Sequence, residues 1–222
     1  MNIKKITFLA RLFYYLREQY NSLLWSDIFH KHLSIENYGY INIKKQIMHG
    51  YDNKLVVGHN SRLNNVKIVI KGSHNLIKIG NRCYIGPNSK LLLEGNNLKI
   101  EIGDGTRFTH DDELTCQEDN STIIIGDRCL ISHHVNIRTS DSHEIIDLST
   151  QERINPPKSV YIGEHVWIAP DAKILKGVTI GKGSIIGSSS VVTKNVPDYC
   201  LSVGMPAKVV KENVTRRDSQ LF

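Results

Sequence analysis

Residues 161–197 read YIGEHVWIAPDAKILKGVTIGKGSIIGSSSVVTKNVP. Aliphatic side chains recur at Ile162, Ile168, Ile174, Ile180, Ile186 and Val192, a strict period of six. Four residues after each of the first five stands a small or β-branched residue: Val166, Ala172, Val178, Ser184 and Ser190. A helix repeats about every 3.6 residues and a strand every two, so neither alone gives this pattern. One short strand plus one turn, repeated, does give it, with each aliphatic side chain stacked on equivalents above and below. Units this short cannot bury an apolar face by themselves and must stack, which is the signature of a parallel β-helix.

On these residues the stretch resembles the hexapeptide-repeat acyltransferases. The resemblance implies a left-handed β-helix whose triangular coils carry three six-residue faces, so that one coil is the eighteen residues from Ile162-Gly163 to Ile180-Gly181. That handedness is an exception to the right-handed crossover rule and comes from the resemblance, not from spacing.

Towards the N-terminus the same signal continues with longer coils. Val57-Gly58, Ile79-Gly80, Ile102-Gly103 and Ile125-Gly126 are spaced by 22, 23 and 23 residues. The excess lies in polar turns, KGSHN at 71–75, EGNN at 94–97 and QEDNS at 117–121, whose Gly, Asn, Asp and Ser suit protruding turns. Their regular recurrence predicts that they stack along one edge. The Gly after each aliphatic residue is read as a tight corner needing positive φ. The expected fold is all-β, a left-handed parallel β-helix of about six coils over residues 51–200. A helical or extended segment (1–50) precedes it and a short tail (201–222) follows.

Composition bounds the rest. The chain has 222 residues, a formal charge of +6 and a pI near 9.1, enough for one sizeable domain with anionic partners such as cofactor phosphates, an acidic glycan, a membrane surface or nucleic acid. Basic residues are dispersed and aromatics make up 7%, so nucleic acid is not an expected partner. Four cysteines without a CxxC pair read as reduced, in a cytoplasmic protein, with Cys83 and Cys129 in small-residue core slots. Ile6, Leu9, Phe13, Leu16, Tyr20 and Leu23 predict an amphipathic, basic helix over 4–24. It is too short and too charged to span a bilayer. It packs on the coil or a neighbouring subunit, or, in the sharper reading, lies on the inner face of a membrane.

The largest interruption is the 37-residue spacing from Ile125 to Ile162. A segment with Pro156-Pro157 and no six-residue period reads as a loop leaving near Asp141 and returning at Tyr161, and long loops of this kind are usually functional. Thr139-Ser140-Asp141-Ser142-His143 is similar to the TxDxH-type segment of sugar and polysaccharide O-acetyltransferases, and Trp167, 24 residues on, matches as well. The resemblance implies His143 as the catalytic base. Acetyl transfer from a thioester to a sugar hydroxyl requires deprotonating the alcohol, and imidazole, with an unperturbed pKa of about 6.5, suits that task. Asp141 or Glu144 orients His143 or contacts the sugar. Trp167 walls the acceptor site or packs under the loop. His133 and His134 sit on the rung before the loop and are either structural or line the cleft, with His134 the candidate sugar contact. His59, His74, His110 and His165 are read as structural.

The resemblance further implies acetyl-CoA as donor and no metal. Ala169 and Ser188 would offer backbone contacts to pantetheine, Thr193 and Lys194 would approach the adenosine end, and Lys208 and Lys211, in the GMPAKVVK signature at 204–211, would face the CoA phosphates. It implies a homotrimer and, as acceptor, a sugar of a bacterial surface polysaccharide: capsule, O-antigen or exopolysaccharide. The alternatives are a small-molecule acetyltransferase of the maltose, galactoside or antibiotic-inactivating type, and a non-catalytic β-helix scaffold. A γ-type carbonic anhydrase is disfavoured because no two histidines stand five positions apart.

Overall fold

The computed structural model describes residues 33–218, the side chains of 44–48 excepted. The helix expected over 4–24 lies outside the described residues. Among the described residues every helix or strand assigned is a strand, and they wind into a three-faced parallel coil. The first face stacks Leu33–Asn37, Asn53–Val57, Leu76–Ile79, Lys99–Ile102, Thr122–Ile125, Val160–Ile162 and Thr179–Ile180. The second runs from Tyr84–Ile85 through Arg107–Phe108, Leu130–Ile131, Trp167–Ile168 and Ile185–Ile186 to Leu201–Gly204. The third contains Lys90–Glu94, Glu113–Gln117, Asn136–Arg138, Lys173–Ile174 and Val191–Val192. Below them, Arg62–Lys71 is long enough to pair with both Tyr84–Ile85 and Lys90–Glu94, and so crosses from the second face to the third.

The period of six becomes columns of buried side chains. Leu55, Ile77, Ile100, Ile123 and Val160 stack in register and are fully buried. Ile85, Phe108, Ile131, Ile168 and Ile186 form the equivalent column on the second face. Each such side chain contributes about 1.5–3 kcal/mol through burial. Cys83 and Cys129 are buried in the core as expected. Burial pushes the Cys129 thiol up to about 11, so it is no nucleophile near neutral pH.

Two boundaries shift. Coiling begins at Leu33, not 51, because Leu33–Asn37 pairs in parallel with Asn53–Val57. That first strand exposes four of its five residues, as a terminal rung does, and carries no aliphatic-Gly pair. At the other end Leu201–Gly204 adds to Ile185–Ile186 and turns through a cis Met205–Pro206 bond into the antiparallel strand Ala207–Lys211. Residues 201–211 therefore belong to the sheet and are not a free tail.

The corners also work differently from the sequence expectation. Between the first and second faces the positive φ falls two residues after the glycine, at Asn60, Arg82, Gly105, Arg128, His165 and Gly183. The glycine itself is required by stacking. A Cβ on Gly126 would come within 2.6 Å of the Glu164 backbone nitrogen and 2.7 Å of the Gly163 carbonyl carbon in the next coil. The small residue directly after the left-handed one ties the coils together: Thr106 Oγ1 donates to Gly126 O (2.7 Å) and accepts from Cys129 N (3.0 Å).

Candidate active site

The protruding turns do stack along the corner between the third and first faces. Gly95 N donates to Lys71 O and Glu118 N to Glu94 O, while buried Asn75 bridges three coils through Asn53, Gly95 and Leu98. The long loop grows from this edge. Thr139, fully buried, ends the strand there: its hydroxyl accepts from Gln117 N (2.9 Å) and donates to Gln117 O (3.0 Å). Ser140 donates to Glu118 and accepts from Ser142 N at 2.9 Å. A side-chain ladder, Lys71 to Glu94, Glu94 to Gln117 and Gln117 to the Ser142 hydroxyl, carries the edge directly into the loop.

Asn155 is the hub of that loop, and the sequence reading missed it. It is 7% exposed, and all four hydrogen-bonding valences of its amide are used. Nδ2 donates to Asp141 Oδ2 (2.9 Å) and to the His143 carbonyl (2.8 Å). Oδ1 accepts from Ile145 N (2.7 Å) and Arg153 Nε (3.3 Å). Its own carbonyl accepts from Lys176 Nζ (2.8 Å), which also pairs with Asp141 at 2.6 Å. Arg153 in turn grips Glu118 with both terminal nitrogens. Lys176 and then Asn155 hold the Asp141 carboxyl below the ordinary carboxylate range. Asp141 therefore braces the loop through Lys176 and Asn155. Glu144, 3.8 Å from Arg153, lies at the rim of the same network.

The outcome for His143 is specific. Its carbonyl is pinned by Asn155, while its imidazole is exposed and, among the described residues, makes no hydrogen bond, ion pair or ring contact. Its backbone is thus fixed while its ring stands open to solvent. Beyond it the loop exposes Ile145, Ile146, Leu148 and Ile154, Leu148 by 87%.

The other expected residues fall elsewhere on the coil. Trp167 lies on the second face between Leu130 and Ile185, with its indole N–H donating to Ser132 Oγ at 3.3 Å. No hydrogen bond or ring contact joins it to the loop. Ala169 and Ser188 occupy the corner between the second and third faces, as does His134. The Ala169 N–H is taken by Ile186 O (2.9 Å), leaving its carbonyl as the available contact. Exposed Thr193 and Lys194 lie on the loop's corner, and exposed Lys208 and Lys211 on the terminal hairpin.

Comparison with known proteins follows the same lines. The family model "Bacterial transferase hexapeptide (six repeats)" matches residues 159–194. A polysialic acid O-acetyltransferase of Escherichia coli O1:K1 / APEC is 36% identical over 80 residues, 36% of this chain and 26% of that protein. The chain thus spans about a quarter of the length of the curated relatives it matches. Among solved structures, the polysialic acid O-acetyltransferase OatWY matches with a TM-score of 0.75 at 29% identity, over 85% of this chain and 88% of that one. The polySia-specific acetyltransferase NeuO matches at 30% identity with a TM-score of 0.54, over 86% of this chain and 92% of that one. This chain belongs to the hexapeptide-repeat acyltransferase family. The three-faced coil is that family's left-handed β-helix. For a hexapeptide-repeat acyltransferase, the departure from regular coiling at 139–159 is where chain-specific chemistry is expected, since the coils themselves are committed to stacking.

Proposed function

We propose that this hexapeptide-repeat acyltransferase moves an acetyl group from acetyl-CoA to a hydroxyl of an acidic bacterial surface polysaccharide, with His143 as general base. The observation that carries the reading is the fixed loop backbone at His143 with its ring free to meet substrate. The acceptor class rests on the polysialic acid named for the relatives and on the +6 charge of this chain. In the reaction the imidazole takes the hydroxyl proton as the sugar oxygen bonds to the thioester carbonyl carbon. A backbone N–H on a stacked turn balances the resulting oxyanion. Collapse breaks the carbon–sulfur bond, and the imidazolium returns the proton to the leaving thiolate, giving CoA and the sugar ester. No acyl-enzyme is needed, and all four cysteines are buried.

The donor lies along the C-terminal coils, touching Ala169 and Ser188, with Lys208 and Lys211 facing its phosphates and Thr193 and Lys194 its adenosine end. These groups occupy separate edges of one prism, with Trp167 on the second face and His143 on the loop that leaves the corner between the third and first faces. A complete site therefore forms between neighbouring copies in a homotrimer, and the exposed Ile145, Ile146, Leu148 and Ile154 supply apolar surface for that contact. The enzyme works in the cytoplasm, where acetyl-CoA is available.

The test is product mapping. The purified chain, acetyl-CoA and a panel containing a sialic acid polymer, a neutral polysaccharide and free maltose are incubated, and O-acetyl groups are located by NMR. Acetylation of the acidic polymer over the others is expected; acetylation confined to the free sugar overturns the acceptor assignment.

A further inference from the structure

At the corner between the second and third faces the coil places histidines and aspartates that the acetyl-transfer chemistry leaves unused. His133 and His134 are sequence neighbours, and neighbours ordinarily diverge. Here His134 has the left-handed backbone of this corner (φ 58°), and its ring stands perpendicular to that of His133 with the two Nδ1 atoms 3.2 Å apart. In the next coil Asp171, also left-handed (φ 63°), presents Oδ1 3.4 Å from His134 Nδ1. One donor atom from each of the three lies within 4.8 Å of the others.

These separations have a meaning in coordination geometry. Two ligand atoms about 2.0–2.1 Å from a tetrahedral Zn²⁺ stand about 3.3–3.4 Å apart. The 3.2 and 3.4 Å edges fit that polyhedron, and two imidazoles with one carboxylate are a donor set suited to zinc and its first-row neighbours. The rings are held from behind. His110 stacks on His133 with centroids 5.0 Å apart and planes 7° apart, and its own Nδ1 bonds Asp111 Oδ2 at 2.7 Å.

We propose that His133, His134 and Asp171 form a binding site for a divalent transition-metal ion, Zn²⁺ in the first instance, with its fourth position open to water. The ion would staple two consecutive coils across the corner, on the same edge as Ala169 and Ser188. This gives His134 a metal-binding role in place of the sugar contact expected from sequence, and it places a metal where none was expected. The site stands independently of the acetyl-transfer reading.

The test uses the full-length chain without a polyhistidine tag, stripped with EDTA and desalted. Zn²⁺ alone is titrated by calorimetry, and Co²⁺ is used as a visible-spectrum probe of tetrahedral geometry. His134→Asn and Asp171→Asn are the variants, because Asn tolerates positive φ and preserves the fold at both positions. One Zn²⁺ per chain is expected, with intense tetrahedral Co²⁺ bands. At a hundredfold excess over Kd the melting temperature should rise by about 5–10 °C. Both variants should lose at least ~10-fold in affinity and the thermal shift with it, while melting like wild type without metal. Zn²⁺ binding that is absent, substoichiometric, or unchanged in both variants overturns the site.

Discussion

Asn155→Ala separates the loop from the coil that carries it. The substitution removes the donors to Asp141 Oδ2 and the His143 carbonyl and the acceptor for Ile145 N, at 2.9, 2.8 and 2.7 Å. At about 1 kcal/mol net for each well-formed bond, the ordered loop loses about 3 kcal/mol, or about 10²-fold in its ratio to open forms. The coil beneath should be spared, because its columns and corner ladders do not pass through Asn155. The expected result is a turnover number down by ~10²-fold, CoA binding unchanged by calorimetry, a wild-type melting temperature, and faster tryptic cleavage after Arg153 and Lys158. Asn155→Asp should be at least as damaging, since it sets a carboxylate against Asp141 and the His143 carbonyl. Wild-type turnover with wild-type protease resistance in Asn155→Ala would refute the claim that this residue holds the catalytic loop. A large drop in melting temperature would refute the separation of loop from coil.

Other perturbations follow from the same structure. Gly126→Ala should cost about 1–3 kcal/mol, or about 2–12 °C in melting temperature, because its Cβ meets backbone of the next coil, whereas Gly105→Asn, with φ +69° and its nearest contact 3.5 Å away, should melt like wild type. Asp112 is buried with one oxygen unpaired among the described residues, and burial pushes its carboxyl up to about 8. The folded chain therefore holds a proton that the unfolded chain releases near 3.8, so stability falls as pH rises from about 4 to about 8. Asp112→Asn should abolish that slope in melting curves while keeping the acceptor for Val135 N; an unchanged slope would assign it to other groups. Lys176→Met should loosen the loop less than Asn155→Ala, by about 0.5–2 kcal/mol, since a half-exposed carboxylate can turn to water; equal or greater loss of turnover would make Lys176 the hub.

The repeating parts of this molecule were legible because stacking leaves a mark at fixed intervals. Ile162, Ile180 and their equivalents are spaced by the coil itself, and the polar turns of the 23-residue coils stack as their recurrence implied. The coil at Leu33 escaped because a terminal rung has solvent on one side, so Ser34, Ile35 and Glu36 need no buried pattern and the period is absent. The corner glycines were found but misexplained: their neighbours two positions on carry the positive φ, while the glycines answer to backbone in the next coil, a contact between residues distant in sequence. Asn155 was invisible for a related reason. Its partners are Asp141, His143, Ile145 and Lys176, brought together by a loop without periodicity, and an Asn before two prolines reads in sequence only as a turn. Thr139 of the TSDSH segment is explained by its ladder-ending hydroxyl, and Asp141 by its bond to Lys176, whereas His143 and Trp167, paired by sequence spacing, are separated within one chain, the first on the protruding loop and the second on the second face.

In the proposed reaction the exposed imidazole of His143 removes the acceptor proton. The most direct measurement is the rate of free-thiol release from acetyl-CoA with a sialic acid polymer as acceptor, wild type beside His143→Ala, with CoA affinity and melting temperature measured on both. A fall of about 10²–10⁴-fold in turnover is expected, with CoA affinity and stability unchanged. Turnover within a few-fold of wild type in a folded, CoA-binding His143→Ala protein would contradict it.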